Sequence, residues 1–563
     1  MAGLVECVPN FSEGRDRGIL DAIGRSIEGV GGVRLLDVDP GADTNRTVVT
    51  FVGSPDGVAE AAFRAIRCAS ERIDMTKHKG AHPRMGATDV CPFVPVSGVT
   101  MEDCAAIARR VGERVGRELS IPVYLYEHAA MQPDRRSLAD IRVGEYEGLE
   151  AKLKDPRWKP DFGPAVFHAR AGATVIGARE FLIAYNVNLN TRDKKLANEI
   201  ALNIRETGRI ARGPDGQPKT DEKGQPVRTT GMLKAVRAVG WTIEEYGCAQ
   251  ISINLLNYHI TPVHAAFEAC VQEAAKLGLR VTGSELVGLI PLEAVRMAGR
   301  YYLARQGKST GVPESELVHI AAKSLGLNDI SPFDPEKKII EYTVRRGRKA
   351  LVERTVRSFV DELSTDSPAP GGGSVAALCG ALGAALGAMV ANLTVGKKGF
   401  EEVREEMVKI ADEGQTVKDA FLEDIDRDTD AFNALMAASR LPKKTPEEEE
   451  ARERAIQDAS RQAILVPFGV LERCARVLEM AEATAARGNP NSASDAAVAA
   501  LVAAACAEGA YDNVTINLPA ITDRAWAGDI ASRAKALLTD QKRWSEEITE
   551  AVRIRLEEQN EAV

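Results

Sequence analysis

The run Tyr342-Thr343-Val344-Arg345-Arg346-Gly347-Arg348-Lys349-Ala350-Leu351 divides the chain into two kinds of protein. Tyr342-Thr343-Val344 reads as the last strand-like run, and residues 345–349 form a short basic connection. From Leu351 onward strand signals nearly vanish and Ala-rich helical periodicity takes over. Upstream, strands and helices alternate. A chain of 563 residues is too long for one hydrophobic core, so several compact units are expected on either side of this connection.

The upstream pattern occurs twice. Val33–Val38 and Arg46–Val52 read as strands. Ser54-Pro55-Asp56 then supplies a cap, a first-turn proline and an early acid for a helix to about Ile73. Thr88–Val94 is apolar again, Met101–Leu119 is an amphipathic helix, and Val123–Tyr126 closes the set. After an irregular stretch, Phe181–Leu189 restarts the pattern. A helix over Lys194–Arg205, a strand over Gln250–Leu256 and a helix opened by Thr261-Pro262 follow. Residues 210–230, rich in Gly, Pro, Lys and Asp, read as a surface excursion. The expected fold is an α/β N-terminal half, with two mixed-sheet subdomains (1–180 and 181–344) facing a cleft. A linker (345–354) joins it to an all-α domain (355–563).

In the downstream half, Thr445-Pro446-Glu447-Glu448 is a well-formed helix start, and Trp544–Glu558 a closing charged helix. Ser374–Val395 carries no charge and is long enough to cross a bilayer, yet it is mainly Ala and Gly. It reads as a buried helix of a bundle, in which Gly380, Gly383 and Gly387 let a neighbour approach closely.

Composition narrows the function. A net charge of -9 argues against nonspecific nucleic-acid binding. Nine dispersed cysteines without a CxxC pair fit a reducing compartment, and the seven histidines show no metal-ligand spacing, so no metal is expected. The strand-like run Leu4–Val8 is not preceded by a basic-then-apolar signal segment, which makes a cytoplasmic location the expectation.

The densest polar constellation is KHKGAHPRMGATDVCPF, Lys77–Phe93. Gly80 and Pro83 imply a tight loop carrying His78, His82 and Arg84. Either histidine could act as a general base near neutral pH, or both could simply tie down the loop. Asp37 and Asp39 precede Pro40-Gly41, where turn chemistry accounts for Asp39 as well as catalysis does.

These residues carry a family resemblance. MAGLVECVPNFSEG, LLDVDPGADTNRTVVTFVG, the HKGAHPRMGATDVCPF run and WKPDFGPAVFHARAGATVIGAREFLIAYNVNL resemble the formimidoyltransferase-cyclodeaminases, folate enzymes of histidine breakdown. The similarity runs over nearly the whole chain in matching order. It implies that the first half moves the formimino group of N-formimino-L-glutamate to tetrahydrofolate. The second half then cyclises the product to 5,10-methenyl-tetrahydrofolate with release of ammonia.

By the same resemblance the catalytic histidine falls on His82, not His78. The folate segment falls on Gly163, Pro164, Ala165, Val166, Phe167, His168, Ala169, Arg170, Ala171 and Gly172. From residue type and placement, Asp39 is the candidate for favouring the cationic carbon centre, and Arg84 for gripping a glutamate carboxylate. The resemblance further implies a polyglutamylated tetrahydrofolate co-substrate and a homo-oligomer built through like-with-like contacts between halves. A nucleic-acid partner and a membrane span are not expected.

In FLEDIDRDTDAFNALM, Phe421–Met436, helical spacing puts Asp428 amid the stripe of Phe421, Ile425, Phe432 and Leu435. Asp424 falls at the rim, and Asp426 and Asp430 on the solvent side. An acid in an apolar stripe costs free energy unless paired or functional, so Asp428 is either bonded to a helix end or catalytic. The resemblance places the cyclodeaminase aspartate there. It also sets Gly371, Gly372, Gly373 and Ser374 beside the folate pocket, where backbone N–H groups at a helix start suit a carboxylate or pterin carbonyl. Asn491, Ser494 and Asp495 are candidates for the same wall.

Overall fold

A computed structural model describes residues 3–41, 45–80, 83–213, 217–221, 224–243, 246–345 and 350–561. His82 and most of the basic linker therefore lie outside the described residues. The chain forms two compact units, 1–295 with 325–346, and 296–324 with 347–563.

The first unit holds two main sheets. The larger contains β1 (Leu4–Cys7), β2 (Asn10–Phe11), β3 (Val33–Gly41), β4 (Arg46–Gly53), β5 (Thr88–Ser97), β6 (Val123–Glu127) and β7 (Thr174–Ala178). β1 and β2 occupy successive parts of one slot between β4 and β5. β3 lies outside β4, and β5, β7 and β6 run parallel. Helices Arg17–Glu28, Pro55–Arg72 and Met101–Leu119 bury their apolar stripes on this sheet with Phe11, Phe51, Phe63 and Phe93. The cap read at Ser54 is present, accepting from the Gly57 amide at 3.3 Å, and Thr100 and Asp103 close a capping box at the start of the third helix.

The second sheet contains β8 (Ile183–Leu189), β11 (Val236–Ile243), β12 (Cys248–Leu255) and β13 (Val281–Val287), in the order β11-β12-β8-β13. A small exposed ribbon, β9 (Arg209–Ile210) with β10 (Arg228–Thr229), brackets the excursion at 210–230. All named pairings in the second sheet are antiparallel, so mixed pairing is a property of the first sheet. Tyr185, Val187, Ile251 and Ile253 are buried on one face, and helices Lys194–Ile204 and Val263–Lys276 pack against the strands.

One sequence expectation is corrected here. Tyr342-Thr343-Val344 is not a strand but part of the helix Ile340–Arg345. Burial of Ile339 and Ile340, and a 2.8 Å bond from the Leu292 amide to Glu341, override the β-branched local preference. Within the span 181–344, residues 296–324 cluster with the helical unit. There the Gly311 carbonyl accepts from Asn392 (2.7 Å) and Gln415 (3.2 Å), and Thr310 donates to Asp412 (2.8 Å).

The helical unit is built on Gly372–Val395, which packs against Arg404–Ser439, Pro446–Arg487 and Ala493–Asn517; Arg524–Glu561 closes the bundle. A Cβ on Gly380 would come within 2.5 Å of the Phe421 ring, and one on Gly383 within 2.8 Å of Val477. The uncharged stretch is thus the central helix of the bundle, and its glycines set the interhelix spacing. Ala493–Asn517 is the second Ala-rich helix of this kind; its buried alanines pack in the same core.

Candidate active sites

In the α/β unit, loops converge at the end of the sheet where parallel β5 and β7 begin. The segment before β5 meets the Gly163–Gly172 segment at a backbone bridge between Gly86 and Gly172. A Cβ at Gly172 (φ +68°) would lie 2.2 Å from the Met85 carbonyl oxygen, so only glycine permits this contact. Ser12 joins through its amide to the Ala87 carbonyl (2.9 Å) and its hydroxyl to the Gly86 carbonyl (2.7 Å). Asn45 links three loops: its side-chain oxygen accepts from the Gly14 amide (3.0 Å), its amide donates to the Lys79 carbonyl (3.1 Å), and its own carbonyl meets His78 Nε2 (2.9 Å).

That geometry decides between two readings of His78. Its Nδ1 accepts from Arg84 Nε at 3.2 Å, which requires the other nitrogen to donate to Asn45 when the ring is neutral. Both ring nitrogens hold the loop, and neither is offered to a substrate. Arg84 is buried and grips Glu147 through two bonds of 2.8 and 2.7 Å, with Glu145 at 3.3 Å. The fork proposed for a substrate carboxylate is already filled by Glu147, whose own carboxyl is held below the usual range by that pairing.

Asp39 is exposed on edge strand β3, opposite Val48 and two residues before Gly41. Asp37 is its neighbour: partial desolvation, then the nearby Asp39 charge, raise the Asp37 carboxyl above its ordinary value. The fully buried acid of this site is Asp89. It accepts from the Met85 amide (2.9 Å) and pairs with both Arg46 and Arg142.

The segment Gly163–Gly172, expected from sequence to meet folate, is irregular, and most of it, including Val166, is exposed. Two of its polar side chains serve the loop itself. His168 Nδ1 accepts from the Ala171 amide (3.0 Å), and Arg170 donates to the Glu71 carbonyl (2.6 Å). Phe167 leans on Tyr146, with centroids 5.4 Å apart.

Sequence reasoning missed a second polar surface. Trp241, Gln250 and Asn188 stand in one row across β11, β12 and β8. Their bonds run Trp241 Nε1 to Gln250 (3.0 Å), Gln250 to Asn188 (2.8 Å), and Asn188 to Asp329 (3.0 Å). Gly283 leaves room for Asp329, whose Cβ would be 2.4 Å from a Cβ on that glycine. An open cavity of about 650 Å³ lies here, lined by Asn190, Arg192, Tyr246, Thr282 and Asp329 among others. No local motif flags a row whose members lie up to 141 residues apart.

In the helical unit, Asp428 meets the start of the Gly372–Val395 helix. Its Oδ2 accepts from Ser374 Oγ at 3.0 Å, and the Ser374 amide also donates to the carboxylate. A Cβ on Gly373 would lie 2.1 Å from Asp428 Oδ1, so the glycine makes room for the carboxylate. The anion at this helix start is therefore the chain's own Asp428. Burial raises its carboxyl above the ordinary value. The Ser374 bonds oppose that shift, and Asp424 adds to it.

The order of burial along this helix differs from the periodicity reading. Asp424, placed at the rim, is buried between Arg427 (2.9 Å) and Arg473, whereas Asp428 is only half-buried. Asp426 accepts from the Leu351 amide at 2.6 Å and is not simply solvated.

Asp495 does not share the wall with Asp428. Its loop is tied by Asn489 to Thr394 (2.9 Å) and Lys397 (2.6 Å), at the far end of the 24-residue glycine helix. At 1.5 Å per residue that end is about 36 Å from Gly372. Gly371 and Gly372 remain at the Asp428 end, with Asn513 beside Gly372. Among the described residues no group of three His, Cys, Asp or Glu side chains is arranged to hold a metal ion.

Three family models cover most of the chain. The formiminotransferase domain, N-terminal subdomain, matches 4–179; the formiminotransferase domain matches 184–345; and formiminotransferase-cyclodeaminase matches 355–536. A glutamate formimidoyltransferase of Streptococcus pyogenes serotype M1 is 42% identical over 54% of this chain and 94% of its own. A methenyltetrahydrofolate cyclohydrolase of Methylorubrum extorquens is 39% identical over 35% of this chain and 96% of its own. A formimidoyltransferase-cyclodeaminase of Mus musculus is 45% identical over 96% of this chain and 97% of its own length. With identity sustained across nearly the whole of both chains, and every segment model in order, this chain belongs to the formimidoyltransferase-cyclodeaminase family.

Proposed function

We propose that the chain is a bifunctional folate enzyme that carries one carbon through two consecutive steps. It transfers the formimino group of N-formimino-L-glutamate to tetrahydrofolate, releasing glutamate. It then closes the 5-formimino product to 5,10-methenyl-tetrahydrofolate with loss of ammonia. The observation that carries the reading is the half-buried Asp428 carboxylate at a glycine-opened helix start, in a chain 45% identical to a named bifunctional relative.

In the transfer step the folate nitrogen loses a proton as it attacks the amidine carbon, and His82 accepts it. The engagement of both His78 nitrogens supports assigning that role to the other histidine of the loop. Asp39 on its exposed strand offers a negative charge for the developing cation. Arg84, already bound to Glu147, shapes the loop and reaches a substrate carboxylate only by exchanging partners. In the second step the other folate nitrogen attacks the formimino carbon. Asp428 protonates the departing amine, and burial keeps its proton available nearer neutral pH. The expected folate contacts are Gly163–Gly172 in the first half and Gly371 and Gly372 in the second, with no resident metal.

One incubation with formiminoglutamate and tetrahydrofolate tests this, following ammonia and methenyl-folate absorbance together. Both signals should rise in step. Formimino-folate accumulating without ammonia would overturn the second half of the reading. The likeness to a methenyltetrahydrofolate cyclohydrolase favours a second reading, in which the helical half hydrolyses the methenyl ring instead. Ammonia release separates the two.

The assembly proposed is a homo-oligomer in which helical halves pair with helical halves and transferase halves with transferase halves. Exposed Leu382, Met389 and Leu393 on one helix, with Val498 and Leu501 on another packed against it, support the helical pairing. Light scattering of Leu393→Glu should give a smaller particle than the parent; an unchanged mass would remove this face from the interface. Nine free thiols, including the 3.2 Å Cys474–Cys506 contact, support a cytoplasmic location. A polyglutamate tail carrying the intermediate between the sites remains part of the proposal.

A further inference from the structure

We propose that Ser374 is a positioning residue for Asp428, holding its carboxyl group at the helix start and keeping a hydrogen bond in both protonation states. This rests on the cyclodeaminase role of Asp428 and replaces the folate contact expected for Ser374 from sequence.

Ser374 is fully buried, so its hydroxyl must find its partners within the protein. Two acceptors stand at equal distance, Asp428 Oδ2 at 3.0 Å and the Ile425 carbonyl at 3.0 Å. A hydroxyl has one hydrogen to give. When Asp428 is ionised, that hydrogen serves the carboxylate, where a charged acceptor makes the stronger bond. When Asp428 is protonated, the hydrogen turns to Ile425, and no buried group is left without a partner.

The same contact orients the carboxyl group. Oδ2 accepts from the Ser374 hydroxyl, and Oδ1 packs against the buried Gly373 at the helix start, where the Ser374 amide also donates to the carboxylate. The O–H bond breaks as an N–H bond forms on the departing amine, and the O–H electron pair stays on the carboxylate, which Ser374 then stabilises.

Asp424, one turn earlier, is neutralised by Arg427 and by Arg473 from the Pro446–Arg487 helix. Thr429 lies 3.5 Å from Ser374 Oγ, and the Ala493–Asn517 helix contributes the neutral Asn513 beside Gly372.

The test is the pH profile of ammonia release from 5-formimino-tetrahydrofolate by full-length Ser374→Ala. Removing the donor destabilises the carboxylate, so the limb governed by Asp428 should move up by about one pH unit. The maximal rate should fall about tenfold. KM for the folate and the transferase rate should stay unchanged, and Ser374→Thr, which keeps the hydroxyl, should return the limb towards its original position. A raised KM with an unmoved limb would overturn the proposal and make Ser374 a folate contact. An unmoved limb with unchanged KM would overturn it as well. If Asp428→Asn still releases ammonia, the underlying reading fails instead, which keeps the two failures distinct.

Discussion

Asp428→Asn is expected to lower ammonia release by about 100- to 10,000-fold, the usual contribution of a positioned acid or base, while formimino transfer continues at the parent rate. The substitution is nearly isosteric. The amide oxygen still accepts from the Ser374 hydroxyl and the side chain keeps its shape beside Gly373, but it has no carboxylic proton to exchange. The residues proposed for transfer belong to the other compact unit, so their activity should not follow the loss. The check is a pair of readouts on one preparation: glutamate release for transfer, ammonia for cyclisation. Loss of both would indicate general damage, and full retention of ammonia release would exclude Asp428 as the proton-carrying group.

Glu6→Gln is expected to stabilise the α/β unit above neutral pH by about 3 kcal/mol and to change little near pH 4. Glu6 lies on β1 at 4% exposure, and its carboxyl is pushed from 4.5 up to about 7. Burial is the main cause; Arg179 opposes it, and the Glu341 charge adds to it. A carboxyl raised in the folded state binds more protons there than in the unfolded chain. The native protein therefore loses stability as pH climbs from about 4.5 to 7, and the loss is constant above that. Glutamine mimics the protonated acid and avoids the loss. Calorimetry of both proteins at pH 4 and pH 8 should show the first unit's transition rising only at the higher pH. An equal gain at both would mean that Glu6 is not the titrating group.

What could be read from the chain alone was whatever depends on neighbours close in sequence. The helix Met101–Leu119 has the bounds that its periodicity implied, and Thr445 with Glu448 closes the capping box that its residues spell. The division into α/β and helical halves was equally legible, because strand and helix periods differ within a few residues. The spacing role of Gly380 and Gly383 was also legible, since glycines in an uncharged Ala-rich helix let a neighbouring helix approach closely.

Tertiary structure decided the charges. Period alone cannot tell that Asp424 is the deeper acid, because the reason is Arg473, 49 residues away. Arg84 looks free until Glu147 arrives from an irregular stretch 63 residues on, and Ile340–Arg345 is a helix because of what its side chains bury and hold. Asp495 looked like a wall of the Asp428 pocket because its polar loop precedes an Ala-rich helix, and only the packing shows which end of the bundle that loop occupies. A hydrophobic or helical preference is a property of the local chain. The cost of an ionised group is set by partners that folding alone brings within a few ångströms, so the sequence shows where charged groups stand and the fold determines what each does.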